Sequence, residues 1–214
     1  MIRPDLARRL RLIVVTDRDL ARPRPIEDVV RAALAGGAPA VQLRAKDATA
    51  RELLRLGRLV APLVKEAGAL LFLNDRVDVA LALGADGVHV GPDDLPVAGL
   101  RGAVPRGFLI GASADDPDEA RRLETEGADY IGCGTVYATS TKPDAGESIG
   151  LEGLDRVARA VDVPVIGIGG ITVERSADVA KTRAAGIAVV GAVMRAVDVQ
   201  AAVRGLLSPW SSRS

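Results

Sequence analysis

The chain has 214 residues, enough for one large domain or two small ones. Hydrophobic residues make up 48% of it and aromatic residues only 2%, so we expect a substantial core built from Val, Leu, Ile and Ala. Lys+Arg and Asp+Glu number 28 each, and this balance gives no overall field pointing to nucleic acid or an acidic membrane as a partner.

The single cysteine and the short apolar runs indicate a cytoplasmic protein. Cys133 has no second cysteine to pair with, which excludes an internal disulfide and fits a reducing compartment. No apolar run approaches the roughly 20 residues that a membrane span needs. Basic residues precede the first apolar run, but that run ends at Thr16, too soon for a signal peptide.

Short β-rich runs alternate with helical stretches along the whole chain. The predicted strands are Leu12–Val15, Ala40–Leu43, Leu70–Leu73, Gly87–Val90, Leu109–Gly111, Tyr130–Cys133, Val165–Ile168 and Ile187–Val190. The predicted helices lie near residues 26–36, 50–67, 76–83, 117–126, 151–160, 174–183 and 197–207, and the segment between Leu95 and Val104 has no clear assignment.

This alternation predicts an α/β fold, a single (β/α)8 TIM barrel spanning residues 1–214. A doubly wound open sheet is the competing architecture, but the chain lacks a glycine-rich first turn. Asp116 and Pro117 mark one helix start, as an N-cap followed by a proline at the first helical position. Residues 208–214 are expected to be a frayed tail, in which Trp210 is either a packing residue or disordered.

Function in such a barrel is found where the strands end and the loops begin. Nearly every one of these ends carries a group able to bind phosphate, metal or a polar ring, whereas Gly, Ala and Pro dominate the segments before the strands. Read in chain order, the ends are Thr16-Asp17-Arg18, Gln42 with Arg44 and Lys46, Asn74-Asp75, Asp93-Asp94, Ser113, the loop 135–142, Gly169-Gly170 and Val190-Gly191. The asymmetry predicts one enzyme site.

Gln42, Arg44 and Lys46 follow the second strand. Period-two alternation places Gln42 and Arg44 on the inner side and Leu43 towards the helices. Gln42 could then bind an amide-like ring edge while Arg44 and Lys46 supply positive charge. The alternative is a solvated basic pair, which we disfavour because unpaired charge is costly inside a barrel.

Asn74-Asp75 and Asp93-Asp94 follow neighbouring strands. Each pair alone could be turn chemistry, since Asn and Asp are favoured where strands stop. Together they favour a divalent cation, most simply Mg²⁺, which takes one or two carboxylates plus phosphate oxygens and water. His89, the only histidine, is expected to be a buried structural residue rather than a general base.

Two later segments offer anion contacts. The run Thr139-Ser140-Thr141-Lys142 supplies hydroxyls and an ammonium group, although such runs are often plain connectors. Gly169-Gly170, with Gly191 after the last strand, would expose backbone N–H groups where these barrels usually bind phosphate.

The motifs VQLRAKD, NDRVDVALALGADGVHVGPDD, TSTKPD and PVIGIGGIT, in this order, resemble the thiamine phosphate synthase family over almost the whole chain. The resemblance implies an enzyme that joins hydroxymethylpyrimidine diphosphate to thiazole phosphate, with Mg²⁺ as cofactor. Pyrimidine diphosphate would contact Gln42, Arg44, Lys46, Asn74, Ser113 and Lys142, thiazole phosphate would contact Thr139, Thr141, Gly170, Val190 and Gly191, and Asp75 and Asp94 would be the metal ligands. Arg44, Lys46 and Lys142 would be the catalytic cations.

The chain departs from the family pattern at a few positions. Asp115 stands where His or Thr is frequent, which could repel a diphosphate, and Gly191 replaces a frequent Ser. Ala45 and Pro92 also differ, but neither removes a matched ligand. Residues 183–187 are an unusual version of the turn before the last strand.

The resemblance implies a dissociative reaction in which diphosphate leaves, a carbocation forms at the pyrimidine methylene, and the thiazole nitrogen attacks it. Two alternatives remain open. One is a thiazole tautomerase on the same barrel, a family with a His in the loop where this chain has residues 134–137. The other is a non-catalytic barrel that senses a phosphorylated compound.

Overall fold

A computed structural model describes residues 5–139 and 147–211. Its eight parallel strands are β1 (Leu12–Val15), β2 (Ala40–Leu43), β3 (Leu70–Asn74), β4 (Gly87–Val90), β5 (Leu109–Ser113), β6 (Tyr130–Cys133), β7 (Val165–Ile168) and β8 (Gly186–Val189). The strands pair in chain order, and β8 pairs with β1 to close the barrel. The predicted (β/α)8 TIM barrel is therefore confirmed.

Helices cover the barrel from outside. The α-helices are α1 (Leu6–Arg9), α2 (Arg18–Ala21), α3 (Ile26–Ala35), α4 (Ala50–Glu66), α5 (Val77–Leu83), α6 (Val97–Ala103), α7 (Pro117–Glu126), α8 (Gly150–Ala160), α9 (Val173–Val179), α10 (Gly191–Met194) and α11 (Val199–Leu207). The segment left unassigned by the sequence pattern is thus largely helix α6. No helix in the described ranges is long and apolar enough to cross a membrane.

Local sequence signals explain several helix starts. Asp116 accepts hydrogen bonds from the backbone N–H groups of Asp118 and Glu119, and Pro117 opens α7, as predicted. Thr49 and Glu52 form a reciprocal capping box at α4. Such caps satisfy N–H groups that have no partner inside the helix.

Two apolar layers form the core, as period-two alternation along the strands requires. The outer layer packs between strands and helices and includes Leu43, Leu73 and Val88. The inner layer fills the barrel and includes Ile13, Phe72, Leu109, Tyr130 and Ile166. Leu43 therefore faces the helices, as the alternation predicted.

Strand bounds differ from the predicted ones at the ends nearest the site. β3 continues to Asn74, because Asn74 pairs with His89. β5 continues to Ser113, because Ser113 pairs with Gly132. β8 begins at Gly186 and ends at Val189, so Val190 lies beyond the strand. We use "the mouth" for the end of the barrel formed by the residues that follow the strands.

The expectation of a frayed tail is wrong for residues 208–210. Ser208–Trp210 form a 3₁₀ helix, and Trp210 is fully buried. Its indole N–H donates to Ser176 Oγ at 3.2 Å, and Ser176 Oγ donates to the carbonyl of Leu206 at 2.8 Å. The tail docks because burial of a large aromatic surface outweighs the cost of ordering a short segment.

Replacing Trp210 by alanine should lower the free energy of unfolding by about 3–5 kcal/mol, since it opens a cavity and removes a large apolar side chain. Denaturant unfolding monitored by far-UV circular dichroism measures the change. The exposed Ser211→Ala is the control and should stay within about 0.5 kcal/mol of the parent. Equal stability of the Trp210→Ala variant would show that the tail does not dock in solution.

Candidate functional site

The structure gathers polar groups from several strand ends at the mouth. Arg44, Lys46 and Asp94 are all close enough to Asp75 to influence its ionisation. Ser113 reaches the same interior through a hydrogen bond to His89. The mouth therefore combines acidic and basic groups on the β2–β5 side, while the ends of β6–β8 supply mostly backbone and glycine.

Asp75 and Asp94 form an acidic pair. Burial is the largest cause that raises the pKa of Asp75, to about 6, and a hydrogen bond and charge repulsion from Asp94 act in the same direction. Arg44 and Lys46 oppose these effects. Two carboxyl groups in contact at a half-buried position are costly without a cation, and this arrangement fits a metal site.

Backbone geometry fixes both carboxylates. Asp75 has φ 64°, the one positive φ among non-glycine residues in the described ranges. Its N–H donates to the carbonyl of His89 at 2.8 Å, which ties the end of β3 to β4. Asp94 Oδ2 accepts from the N–H of Gly91 at 2.7 Å. Strained backbone at a functional position is a common sign of a site under geometric demand.

Asp75 and Asp94 are two carboxylates, and the described residues contain no cluster of three or more His, Cys, Asp or Glu groups that could hold a metal. Zn²⁺ in a structural site would need four protein ligands. Mg²⁺ is instead bound by one or two carboxylates, with the other positions left to substrate phosphates and water. The donor set therefore fits Mg²⁺ better than a metal caged entirely by protein.

Arg44 is held by the end of β1. The Thr16 hydroxyl accepts from the N–H of Arg44 at 2.9 Å and lies 3.0 Å from the Arg44 carbonyl, to which it donates. The Arg44 guanidinium lies 3.6 Å from Asp17 Oδ2, while Asp17 Oδ1 caps α2. Lys46, in contrast, is exposed. The sequence pattern placed Thr16 and Asp17 among the polar strand ends but did not connect them to Arg44. The available signal was an Asp two residues after a strand, where one carboxylate can cap a helix and pair with a cation.

A chain of hydrogen-bonded polar side chains crosses the barrel interior below the mouth. His89 Nδ1 is 3.0 Å from Tyr130 Oη, and His89 Nε2 is 3.0 Å from Ser113 Oγ. Gln42 is buried and hydrogen-bonds to the Tyr130 hydroxyl. His89 is half-buried rather than buried, so the expected burial is not met, and sequence reasoning missed Tyr130. Period-two alternation on β6 places Tyr130 on the same face as Gly132, two residues later, and could have pointed to an inward Tyr130.

The ends of β6 and β7 are locked together. Residues Val136 and Tyr137 donate backbone hydrogen bonds to Ile168 and Gly169 at 2.8 and 3.1 Å. Gly169 and Gly170 have φ of 100° and 61°, and a Cβ on Gly170 would lie 2.6 Å from the Tyr137 carbonyl oxygen. Only glycine combines this backbone conformation with so close an approach.

The Arg175 side chain contacts both the loop after β6 and the loop after β7. Its Nη1 donates to the Gly170 carbonyl at 2.8 Å, and its guanidinium lies 4.6 Å from the centre of the Tyr137 ring. Strands β7 and β8 pair through Ile168 and Ala188. Gly170 and Val190 each follow this pair by two residues, so they occupy corresponding positions beyond the ends of the two strands. Gly191 begins α10.

Of the remaining predicted site residues, two lie in the described part of the chain and two do not. Asn74 ends β3 and is half-buried, and Thr139 is half-buried beyond β6. Thr141 and Lys142 lie outside the described residues. Asp115 is exposed and is not the helix cap, which is Asp116.

Comparison with known proteins gives consistent matches. The family model described as thiamine monophosphate synthase matches residues 12–193. A thiamine-phosphate synthase of Roseiflexus castenholzii is 49% identical over 94% of this chain and 88% of the relative. One from Moorella thermoacetica is 48% identical over 91% of this chain and 93% of the relative. The solved thiamine phosphate pyrophosphorylase of Pyrococcus furiosus has a TM-score of 0.88 at 45% identity, covering 95% of this chain and 96% of that one.

The acidic pair makes stability depend on pH in metal-free protein. The folded pKa of Asp75, about 6, is above the ordinary value of 3.8, so the folded state holds a proton that the unfolded state has lost between these values. The free energy of unfolding should therefore fall as pH rises from about 4 to about 6. Urea unfolding in EDTA measures this slope.

Asp94→Asn should make that slope shallower, because the neighbouring charge is removed. Asp93→Asn, which changes an exposed carboxylate one residue away, is the matched control and should keep the parent slope. An Asp94→Asn slope equal to that of the parent would contradict the pairing of the two carboxyl groups.

Proposed function

This chain belongs to the thiamine monophosphate synthase family, and from that premise we propose which substrates it joins and how its mouth joins them. The activity itself is thiamine-phosphate synthesis by a transferase. The proposed substrates are hydroxymethylpyrimidine diphosphate and thiazole phosphate. The observation that carries the proposal is the acidic pair beside Arg44 and Lys46, since a diphosphate with a divalent cation needs both kinds of group.

The pyrimidine half is assigned to the β2–β5 side of the mouth. Gln42 and Asn74 orient the ring, because both carry amide groups that match the donors and acceptors of an aminopyrimidine. Arg44 and Lys46 contact the diphosphate, and Ser113 donates to it. Lys142 is proposed as a third cationic contact from the sequence match alone.

Asp75 and Asp94 would hold Mg²⁺. When bound, the ion would neutralise charge on the diphosphate and so make it a better leaving group. The two residues fit this role because their carboxyl groups are in contact at a half-buried position, where their charges repel each other. A bound cation would remove this repulsion, which favours its binding.

The thiazole phosphate is assigned to the ends of β7 and β8. Gly170, with Val190 and Gly191, offers backbone N–H groups at the usual phosphate position of this fold. Thr139 and Thr141 are proposed contacts to the thiazole side. The lock between Tyr137, Gly170 and Arg175 supports the proposal because it keeps these backbone groups in a fixed arrangement.

The reaction we propose is dissociative. The bond between the pyrimidine methylene carbon and the diphosphate oxygen breaks, and its electron pair leaves with the diphosphate. The thiazole nitrogen then donates its lone pair to the resulting carbocation, forming the new C–N bond. No side chain has to move a proton in these steps, so Arg44 and Lys46 act by charge stabilisation and the two subsites act by positioning.

A thiazole tautomerase is disfavoured by the position of the one histidine. His89 lies on β4 inside the barrel, whereas the loop after β6 at residues 134–137 carries no imidazole.

We also propose a cytoplasmic location, and the buried free thiol of Cys133 supports it.

The direct test supplies purified protein with both proposed substrates and Mg²⁺. We expect thiamine phosphate and diphosphate in equal amounts, and neither in the presence of EDTA. Omitting the thiazole phosphate should prevent formation of thiamine phosphate. Failure to form it with both substrates and the metal would refute the proposed reaction.

Asp75→Ala should lower kcat by at least about a hundredfold, because one of the two proposed metal ligands is lost. The barrel should still fold, since Asp75 is half-buried and already carries an unfavourable charge interaction. Steady-state rates across a Mg²⁺ titration measure the loss. Asp93→Ala is the control, and full activity of Asp75→Ala would refute the metal assignment.

Arg44→Ala should lower kcat/KM for the pyrimidine diphosphate about a hundredfold, through lost stabilisation of the leaving group. Arg58→Ala on the exposed face of α4 removes the same charge away from the mouth and should have no such effect. A parent-like rate for Arg44→Ala, measured with matched thermal stability, would remove Arg44 from the catalytic groups.

A further inference from the structure

The hydrogen-bonded chain Gln42–Tyr130–His89–Ser113 connects two proposed substrate contacts, Gln42 and Ser113, through two residues that touch no substrate in the scheme above. Both ring nitrogens of His89 are engaged, each at 3.0 Å. Tyr130 is fully buried and lies between Gln42 and His89. The chain therefore crosses the barrel from β2 to β5 by way of β6 and β4.

The Tyr130 and His89 rings occupy space inside the barrel that two glycines leave free. A Cβ on Gly111 would lie 2.0 Å from the Tyr130 ring, and a Cβ on Gly132 would lie 2.8 Å from His89 Cε1. Phe72 contacts Tyr130 edge-on at 5.4 Å between ring centres. Two glycines in neighbouring strands thus give up side-chain packing to make room for a polar pair, which purely structural packing would not require.

The direction of the hydrogen bonds follows from which of its two neighbours, Gln42 or His89, is the better acceptor for the Tyr130 hydroxyl proton. Burial raises the pKa of the Tyr130 phenol well above its ordinary range, while the hydrogen bond with Gln42 acts in the lowering direction. The protonated phenol has one O–H to donate, and a neutral imidazole nitrogen is a stronger acceptor than an amide oxygen. We therefore assign the Tyr130 hydroxyl proton to the bond with His89 Nδ1 at 3.0 Å, and the Gln42 amide N–H then donates to the phenol oxygen.

The donation from Tyr130 to His89 Nδ1 determines where the protons of His89 and Ser113 lie. With Nδ1 accepting from Tyr130, a neutral His89 carries its proton on Nε2 and donates it to Ser113 Oγ. The Ser113 hydroxyl, having accepted, can donate its own proton towards the mouth. In the opposite tautomer, His89 Nε2 would take the Ser113 proton and leave an oxygen lone pair facing an anionic group.

We propose that Tyr130 and His89 are positioning residues: they hold the Gln42 amide for the pyrimidine ring and fix the Ser113 hydroxyl as a donor to the leaving diphosphate. The kinetic part of this inference rests on the proposed function, whereas the proton order does not. The two can therefore be tested separately.

The proton order is tested by NMR of the imidazole nitrogens in ¹⁵N-histidine-labelled protein without substrates. His89 is the only histidine in the sequence, so a protein produced without a histidine tag gives unambiguous signals. We expect the neutral tautomer with Nε2 protonated and Nδ1 as an acceptor. The Nδ1–H tautomer, or a doubly protonated ring, would overturn the proposal whatever the enzyme's substrates are.

Tyr130→Phe tests the role of the phenol, since it keeps the ring between Gly111 and Phe72 and removes only the hydroxyl. The Nδ1 signal should move towards that of an acceptor without a partner; an unmoved signal would overturn the proposal. The variant should lose about tenfold in kcat/KM for the pyrimidine diphosphate, the scale of one buried hydrogen bond, with KM for the thiazole phosphate unchanged.

Ser176→Ala is the matched control, because it also removes one fully buried hydroxyl with two hydrogen bonds, but beside Trp210 on the outer side of the barrel. It should lower thermal stability and leave both KM values and kcat unchanged. If Tyr130→Phe behaves in the same way, Tyr130 only stabilises the fold and the positioning role is refuted.

Discussion

Pairing of β8 with β1 is the constraint on which the rest of the structure depends. Ile13 and Val14 align with Ala188 and Val189 across this seam. Because all strands are parallel and the sheet is closed, every strand ends at the same mouth. Groups far apart in sequence, such as Arg44 and Asp94, thereby act on one carboxylate without any contact that the local sequence specifies.

The mouth has two halves of different chemistry. On the β2–β5 side, charges of both signs meet at a half-buried position, where repulsion from Asp94 helps to raise the pKa of Asp75, and the proposed Mg²⁺ would relieve that repulsion. On the β6–β8 side, Gly169 and Gly170 bring backbone against backbone, with Arg175 fastening the loop. The reaction we propose, with a diphosphate leaving group and a second, phosphorylated substrate, would use these two kinds of surface.

Much of this was predictable because it depends on local pattern. Alternation at Gln42, Leu43 and Arg44 predicted which side each residue faces, and the barrel follows from the order of strands and helices. The acidic pair could be predicted because Asp75 and Asp94 follow adjacent strands. Contacts across the barrel could not: the bond between His89 and Tyr130 joins β4 to β6, past β5, and no sequence spacing encodes it. The docking of residues 208–210 could not be predicted for the same reason, since Ser176, the partner of Trp210, is 34 residues away.

The central claim is that the acidic pair and the neighbouring cations form one site for a metal and a diphosphate together. Calorimetric titration with inorganic diphosphate measures this most directly, in parallel runs with and without Mg²⁺. Coupling between ligands is reciprocal, so the account predicts markedly tighter binding with Mg²⁺ in the parent protein and loss of that gain in Asp94→Asn. Equal affinity with and without Mg²⁺, or an unchanged gain in the variant, would contradict it.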